Sequence, residues 1–491
     1  MASGRTTAAR SIWWTLLESC GLSGLSFATV VVLARFLAPA DFGVAAMALG
    51  FVQIFAALAV SLFHDAIIQR QELRPAHLDS AFWAATLIGA LLSLACWLGG
   101  GWIAGVLGEP AVAPVLRWMS LSLLFCGVDG VVVAELRRGM QFKALAARSL
   151  FGRVAGAAIG IAGAAAGFGV WALVAQQITT SVLSSAVVLI RAPRRPRLAL
   201  SPRAVAELAS FAFGSLLSQL LGFSNIRVFI ILCGYLLGAT AVGYLNLAFR
   251  MVDTVKDALA AAANQLALPL FSRRQGDRQA LLRAYQEASE FACLATLPIF
   301  AGLVACPEEI VAFVFGSRWL PAAPLVQILG AVAVIYFVRL FNGTVLTAVG
   351  RPQLNAAANA VGCIVTLGGL LVFGRYGVVA AAAAWALRVL FTVPLGIAFQ
   401  RWTTGMGLAE QMRRTAAPLA AAMLMAALVW VVRVELLEAW PLKQRLLVLV
   451  PLGAVSYAAV LFALSPRAVP RLLVFLGEGL RRRKPAATAG A

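Results

Sequence analysis

The sequence predicts an all-α, polytopic membrane protein with fourteen transmembrane helices, built as two pseudo-symmetric six-helix lobes plus two extra C-terminal helices. Three observations predict it. Of 491 residues, 62% are hydrophobic and 12% charged, where a soluble chain carries about a quarter charged. Apolar runs of about 20 residues, the length that crosses a bilayer as a helix, recur from end to end. Finally, a hairpin pattern is written twice. LARFLAPADFGVAAMA at 33–48 and CGYLLGATAVGYLNLA at 233–248 each show an apolar run, a small-residue break, an aromatic beside glycine and a second apolar run.

The predicted spans are 11–37, 42–63, 81–107, 114–136, 145–167, 170–190, 208–236, 240–266, 288–315, 324–349, 354–374, 377–399, 416–434 and 445–464. They are separated by APAD (38–41), GEPAVAP (108–114), GFG (167–169), PAAP (321–324) and GRYG (374–377), which are turn and breaker signals. With the N-terminus inside, the inner segments hold 27 Lys and Arg and the outer segments five. That asymmetry puts both termini in the cytoplasm.

The two hairpins are identical only at Leu37/Leu237, Gly43/Gly243 and Ala48/Ala248. A second pair agrees with them: GFGVWALVA (167–175) and GRYGVVAAA (374–382). A six-helix unit is even, so its copy keeps the same orientation, as in parallel repeats about an axis along the membrane normal. The predicted domains are therefore 1–195 (helices 1–6), 196–405 (helices 7–12) and 406–491 (helices 13–14 and a basic cytoplasmic tail). RAPRRPRLALSPR, 191–203, links the lobes.

The net charge is +20. In a soluble chain this would suggest nucleic acid. Here it belongs to cytoplasmic loops, and no nucleic-acid partner is expected. Seven cysteines lie scattered in apolar runs, with no C-x-x-C and no histidine cluster. They read as buried small hydrophobes, so no metal and no cofactor are expected. LLESC at 16–20 has Glu18 where a lipoprotein box needs a small residue, and the first apolar run is too long for a signal segment. No cleavage is expected.

Taken together, several segments resemble bacterial oligosaccharide flippases of the multidrug/oligosaccharidyl-lipid/polysaccharide exporter superfamily, in its polysaccharide or lipopolysaccharide exporter branch. They are LARFLAPADFG (33–43), IIQR (67–70), ELRRGMQFKALA (135–146), GFGVWALV (167–174), LGATAVGYLNLAFR (237–250), ALPLFSRRQGD (267–277), FGSRWLPAAPLVQIL (315–329) and AVGRPQLN (348–355). The resemblance implies two lobes around a central cavity that opens alternately to each side. The implied cargo is an oligosaccharide repeat unit on a polyprenyl diphosphate, moved to the outer leaflet of the bacterial inner membrane. It would serve exopolysaccharide, O-antigen or capsule synthesis, with membrane lipids, a polysaccharide polymerase and a co-polymerase as partners. One departure stands out. The family often has an aspartate in helix 7 before the Gly-rich turn, and here that region reads NIRVFIILCG, so no role for that residue carries over.

The charges inside the spans point the same way. Arg250, Asp253, Lys256, Asp257, Arg339 and Arg388 all fall within predicted helices. Each would cost about 2.5–3.5 kcal/mol at a helix centre facing lipid, so they must face water, cargo or one another. In the eighth span, Asn246, Arg250, Asp253, Asp257 and Asn264 follow a 3–4 spacing and share one face. The seventh offers Ser215, Ser218, Gly222 and Asn225; the tenth Tyr336, Arg339, Gly343 and Thr347; the twelfth Trp385, Arg388 and Thr392. Arginine's planar fork matches phosphate oxygens, and aromatic faces suit sugar rings. The candidate substrate set is Arg250, Arg339, Arg388, Lys256, Asn225, Tyr336 and Trp385. The competing reading is internal pairing, Arg250 with Asp253 or Lys256 with Asp257. Asp253, Asp257 and Glu18 are the acids available to carry a coupling proton or sodium. Arg227, near a span end, snorkels. Gly152, Gly156 and Gly160 form a small-residue stripe for helix packing.

Catalysis finds little support. The two histidines, His64 and His77, sit on the inner side, the outer loops are short, and no G-x-S-x-G or Walker A sequence occurs. That argues against a polysaccharide polymerase or ligase. A drug-cation exporter should line its cavity with carboxylates, whereas these stripes hold more arginine than acid. A peptidoglycan-precursor flippase shares the diphosphate cargo and is separated only by the motifs above.

Overall fold

The computed structural model describes residues 21–70 and 72–466, and every regular element among them is helical. In chain order these are α1 (21–36), α2 (Pro39–Gln69), α3 (Pro75–Leu107), α4 (Val112–Ser120), α5 (Ser122–Arg138), α6 (Phe142–Ala165), α7 (Val170–Arg191) and α8 (Pro202–Ser272). There follow α9 (Arg278–Ala305), α10 (Pro307–Val314), α11 (Ala323–Val338), α12 (Asn342–Ala348), α13 (Pro352–Phe373), α14 (Val378–Thr404), α15 (Leu408–Met412), α16 (Ala416–Glu435) and α17 (Leu442–Leu464). Among the described residues, 12 helical stretches are long and apolar enough to cross a membrane. The chain is a multi-pass membrane protein. The predicted first span begins outside the described residues, and the seventh and eighth are joined in α8, so the described helices do not by themselves give fourteen.

Local chemistry sets most helix ends. Pro39 opens α2, and the Asp41 carboxylate accepts the Ala38 N–H at 2.9 Å. Pro75 opens α3, where His77 Nδ1 accepts the Arg74 N–H at 3.1 Å. Within α8 the helical path breaks at Gly238, with φ of 77°, a conformation that favours glycine. Three spans predicted as continuous are broken. The stretch 114–136 is interrupted at Leu121, and 288–315 at Cys306, where Pro307 starts a new helix because it cannot donate to the old one. The stretch 324–349 opens over 339–341.

The chain divides into two compact units. One comprises Met1–Ala258 and Gly362–Arg388, the other Leu259–Val361 and Val389–Ala491. In the first unit the twice-written hairpins meet. A methyl group on Gly43 would lie 1.7 Å from the Ala239 carbonyl oxygen, and one on Gly243 would lie 1.9 Å from that of Pro39. Each glycine stands four residues beyond the carbonyl that faces its counterpart, so the contact is reciprocal. Two helix starts cross backbone to backbone, and nothing larger than glycine fits. Close by, Glu109 Oε1 accepts the Ala239 N–H at 2.7 Å and caps the second arm of α8. The glycine stripe of α6 packs on α7, with Gly152 facing Ser184, Gly156 facing Thr180 and Gly160 facing Gln176.

In the second unit, polar pairs tie the last helices to α9 and α10. Arg433 Nε donates to Glu309 at 2.8 Å and its Nη2 to Glu308 at 2.6 Å, while Arg445 Nη1 reaches Glu309 at 3.2 Å. At the other end of α9, Arg278 donates to Glu410 at 3.0 Å and to the Gly405 carbonyl at 2.8 Å. Gln286 Nε2 donates to the Glu410 carbonyl at 2.6 Å.

Candidate functional site: two arrangements of intramembrane arginine

Arg250 lies in the second arm of α8, within an unbroken helix. Its side chain is exposed, and among the described residues no acceptor meets its guanidinium. Arg227, on the first arm of α8, and Arg153, on α6, stand close enough for their charges to act on it. Arg153 donates to the Ser26 hydroxyl at 2.6 Å. Asp253 is the shared counter-charge of this group. It pairs with Lys256 and acts on both Arg227 and Arg388. Lys256 also lies 3.7 Å from Asp257, whose side chain is 71% exposed. In the first unit, Lys256, Arg227 and Arg388 thus share Asp253, and Arg250 and Arg153 adjoin this group through Arg227 and Arg250 respectively.

An aromatic bed supports part of this group. The Trp385 ring packs 4.9 Å from both Phe229 and Phe249, whose centroids are 6.1 Å apart. Arg388 lies over the indole at 3.9 Å, a cation–π contact. Trp385 is buried and serves as the floor under Arg388. Asn225 is half-buried, and its Oδ1 is without a partner among the described residues.

Arg339 is placed differently. It belongs to the second unit and stands at the break between α11 and α12. Its Nη1 donates to the Thr392 carbonyl at 3.3 Å. Asn342, turned so that its amide oxygen faces the arginine, accepts from Nε at 3.2 Å and Nη2 at 2.5 Å. The amide nitrogen of Asn342 then donates to Gln400 at 3.1 Å and to Tyr285 at 2.7 Å. The guanidinium lies against Gly396, where a methyl group would come within 2.4 Å of Nη2. Tyr336, one turn before Arg339, is 40% exposed.

The structure thus joins Arg250, Lys256, Arg388, Trp385, Asp253 and Asp257 into one neighbourhood. Arg339 and Tyr336 belong to the second unit, while Glu18 and the side chains of Ser215 and Ser218 lie outside what is described. Arg227, read from its place near a span end as a snorkelling residue, lies close enough to Arg250 and Asp253 for their charges to interact. Glu109 was missed altogether. A lone glutamate in a turn gives no sequence signal that it caps a helix 130 residues later.

Outside the spans, the Glu207 carboxyl is held below its usual range by hydrogen bonds from Arg70 at 2.7 Å and His77 at 3.3 Å.

With this geometry established, comparison with known proteins identifies the lineage. A family model described as "Polysaccharide biosynthesis protein" matches residues 32–324. The chain belongs to that family. Among its relatives, the succinoglycan biosynthesis transport protein ExoT of Rhizobium meliloti (strain 1021) is 30% identical over 326 residues, 66% of this chain and 65% of that protein. The teichuronic acid biosynthesis protein TuaB of Bacillus subtilis (strain 168) is 24% identical over 307 residues, 61% of this chain and 63% of that protein. The lipopolysaccharide biosynthesis protein WzxC of Escherichia coli (strain K12) is 24% identical over 376 residues, 74% of each chain. The chain spans a little under two thirds of the first two relatives. This family member also shares a fold with the lipid II flippase MurJ in an inward closed conformation, with TM-score 0.76 and 13% identity, over 93% of this chain and 100% of that one. A multidrug MATE transporter in an inward-facing conformation follows at TM-score 0.54 and 16% identity, over 83% and 95%.

Proposed function

We propose that this protein is a flippase that moves polyprenyl-diphosphate-linked oligosaccharide repeat units from the cytoplasmic to the outer leaflet of the bacterial inner membrane, by alternating access of two six-helix lobes. The observation that carries the reading is the Arg250 group. An exposed guanidinium in a membrane helix, without an acceptor among the described residues and near further arginines, is costly unless an anion completes it. A diphosphate has the charge and the oxygen geometry to do so. Arg250, Arg227 and Arg388 hold the head group in this account. Asn225 completes its polar edge, and Trp385 fixes Arg388. Lys256 is shared with Asp253 and Asp257, which, with Glu18, are the acids available for a coupling ion. Arg339 positions its helix, and half-exposed Tyr336 offers a face to sugar. The names of ExoT, TuaB and WzxC support a cargo for surface-polymer synthesis. Both termini lie in the cytoplasm, and a polymerase with its co-polymerase consumes the product.

The test is leaflet-resolved labelling of the lipid-linked sugar in parent and deletion strains. The deletion is expected to accumulate it on the cytoplasmic leaflet with synthesis intact. Full accessibility from outside, without polymerisation, would assign the lost step to a polymerase and overturn the flippase reading.

A further inference from the structure

The linker between α7 and α8, 192–201, reads APRRPRLALS and contains no helix. Prolines at 193 and 196 within it, and at 202 beyond it, favour extended backbone. The segment is nonetheless fixed in place. Asp79, 3% exposed, accepts the Arg197 N–H at 3.0 Å and binds the Arg194 guanidinium. The Ser80 hydroxyl accepts the Ser201 N–H at 2.9 Å. The Trp83 indole N–H donates to the Arg197 carbonyl at 2.8 Å. Three residues of the first turns of α3 therefore hold one face of the linker through its backbone.

The opposite face is unusual. Leu198 is 89% exposed and Leu200 59%, beside the exposed Arg195 and Arg197. Neither arginine side chain has an acidic partner among the described residues. Position supplies the explanation. A candidate membrane span ends at Arg191, and the linker runs directly from it to Pro202, where α8 begins ahead of its own span, so the residues that follow Arg191 lie at the edge of the bilayer. Trp83 holds its indole N–H to that linker, the disposition of a residue at the membrane–water interface. Leucines exposed next to arginines on a fixed segment at that level have the composition of an interfacial anchor. There the apolar groups enter the acyl boundary and the cations meet anionic head groups.

We propose that this linker is an anionic-lipid anchor, with Leu198 and Leu200 inserted among the acyl chains and Arg195 and Arg197 bound to lipid phosphates. The joint between the two sequence repeats is then pinned to the membrane surface. The partner is the leaflet itself, since the leucines would gain nothing from a free anion.

The full-length protein, carrying an environment-sensitive fluorophore on Leu200→Cys, is placed in nanodiscs of phosphatidylcholine with increasing phosphatidylglycerol. Emission is expected to shift to the blue and to be quenched by spin-labelled lipid as phosphatidylglycerol rises. The fraction giving half the effect should rise about fivefold for Arg195→Gln and again for Arg197→Gln, because each basic residue at an anionic surface contributes about 1 kcal/mol. Arg195→Lys, which keeps the charge, should stay near the parent value and separates lipid binding from misfolding. Leu198→Ser should weaken quenching without removing the charge dependence. A label equally open to aqueous iodide with and without phosphatidylglycerol would overturn the proposal. So would an equal response to inorganic phosphate, which would make the ligand a free anion.

Discussion

Arg250 and Arg339 come from sequence patterns that look alike: an arginine within an apolar span, in line with other polar residues. Around Arg339 the helix is open for three residues, and an amide oxygen and a main-chain carbonyl turn toward the guanidinium. Around Arg250 the helix is intact, its carbonyls are already bonded along the ladder, and among the described residues no side-chain acceptor arrives. The charges that act on it include those of Arg227 and Arg153. Of these two intramembrane arginines, one is met by a local break in secondary structure and the other stands on an intact helix. The backbone beside each distinguishes the two cases better than its depth does.

Arg250→Ala gives the largest expected effect. Removing a charge-assisted contact to the cargo should lower export about tenfold to a hundredfold, with membrane protein level and melting temperature unchanged. Quantifying surface polysaccharide beside thermal unfolding in detergent checks both halves, and a large fall in melting temperature would make Arg250 structural like Arg339. Arg339→Ala should do the reverse and lower stability first. It removes the arginine donors to the buried Asn342 amide oxygen and the extra bond to the Thr392 carbonyl, at about 1–3 kcal/mol. Gly396→Ala sharpens the point without touching a polar group, since its methyl would displace the guanidinium. Its cost should be comparable and should not add to that of Arg339→Ala in a double-mutant cycle; full additivity would show that Gly396 acts elsewhere.

The smallest effect belongs to a tied charge at the surface. Glu207 has a lowered carboxyl, so its contribution is present above the ordinary carboxylate range and is lost as pH falls through the lowered value. A melting-temperature profile of the parent should dip slightly more there than that of Glu207→Gln, and identical profiles would remove Glu207 from the account.

Much of the fold could be read directly from the chain. Span length, the breakers at 38–41 and 167–169, and the glycine stripe at 152, 156 and 160 rest on periodicity and small residues, which are local properties. The breaks at Leu121 and 339–341 were not legible, because those residues form helices readily and a partner of Arg339 at the break, Thr392, lies 53 residues away. The repeated hairpin was visible as a pattern, but its purpose was not. Only the structure shows Gly43 and Gly243 each facing the other hairpin's carbonyl. For the site, 3–4 spacing placed Arg250, Asp253 and Asp257 on one helix face. It could not bring Arg153 and Arg388 there from other helices, nor show that Trp385 lies beneath an arginine.

Binding of a polyprenyl diphosphate to the purified full-length protein tests the central claim most directly, by titration of the parent, Arg250→Ala and Arg339→Ala. Arg250→Ala is expected to weaken binding about tenfold or more, while Arg339→Ala, measured below its lowered melting temperature, binds like the parent. Equal affinity in parent and Arg250→Ala, or loss only in Arg339→Ala, would contradict that claim.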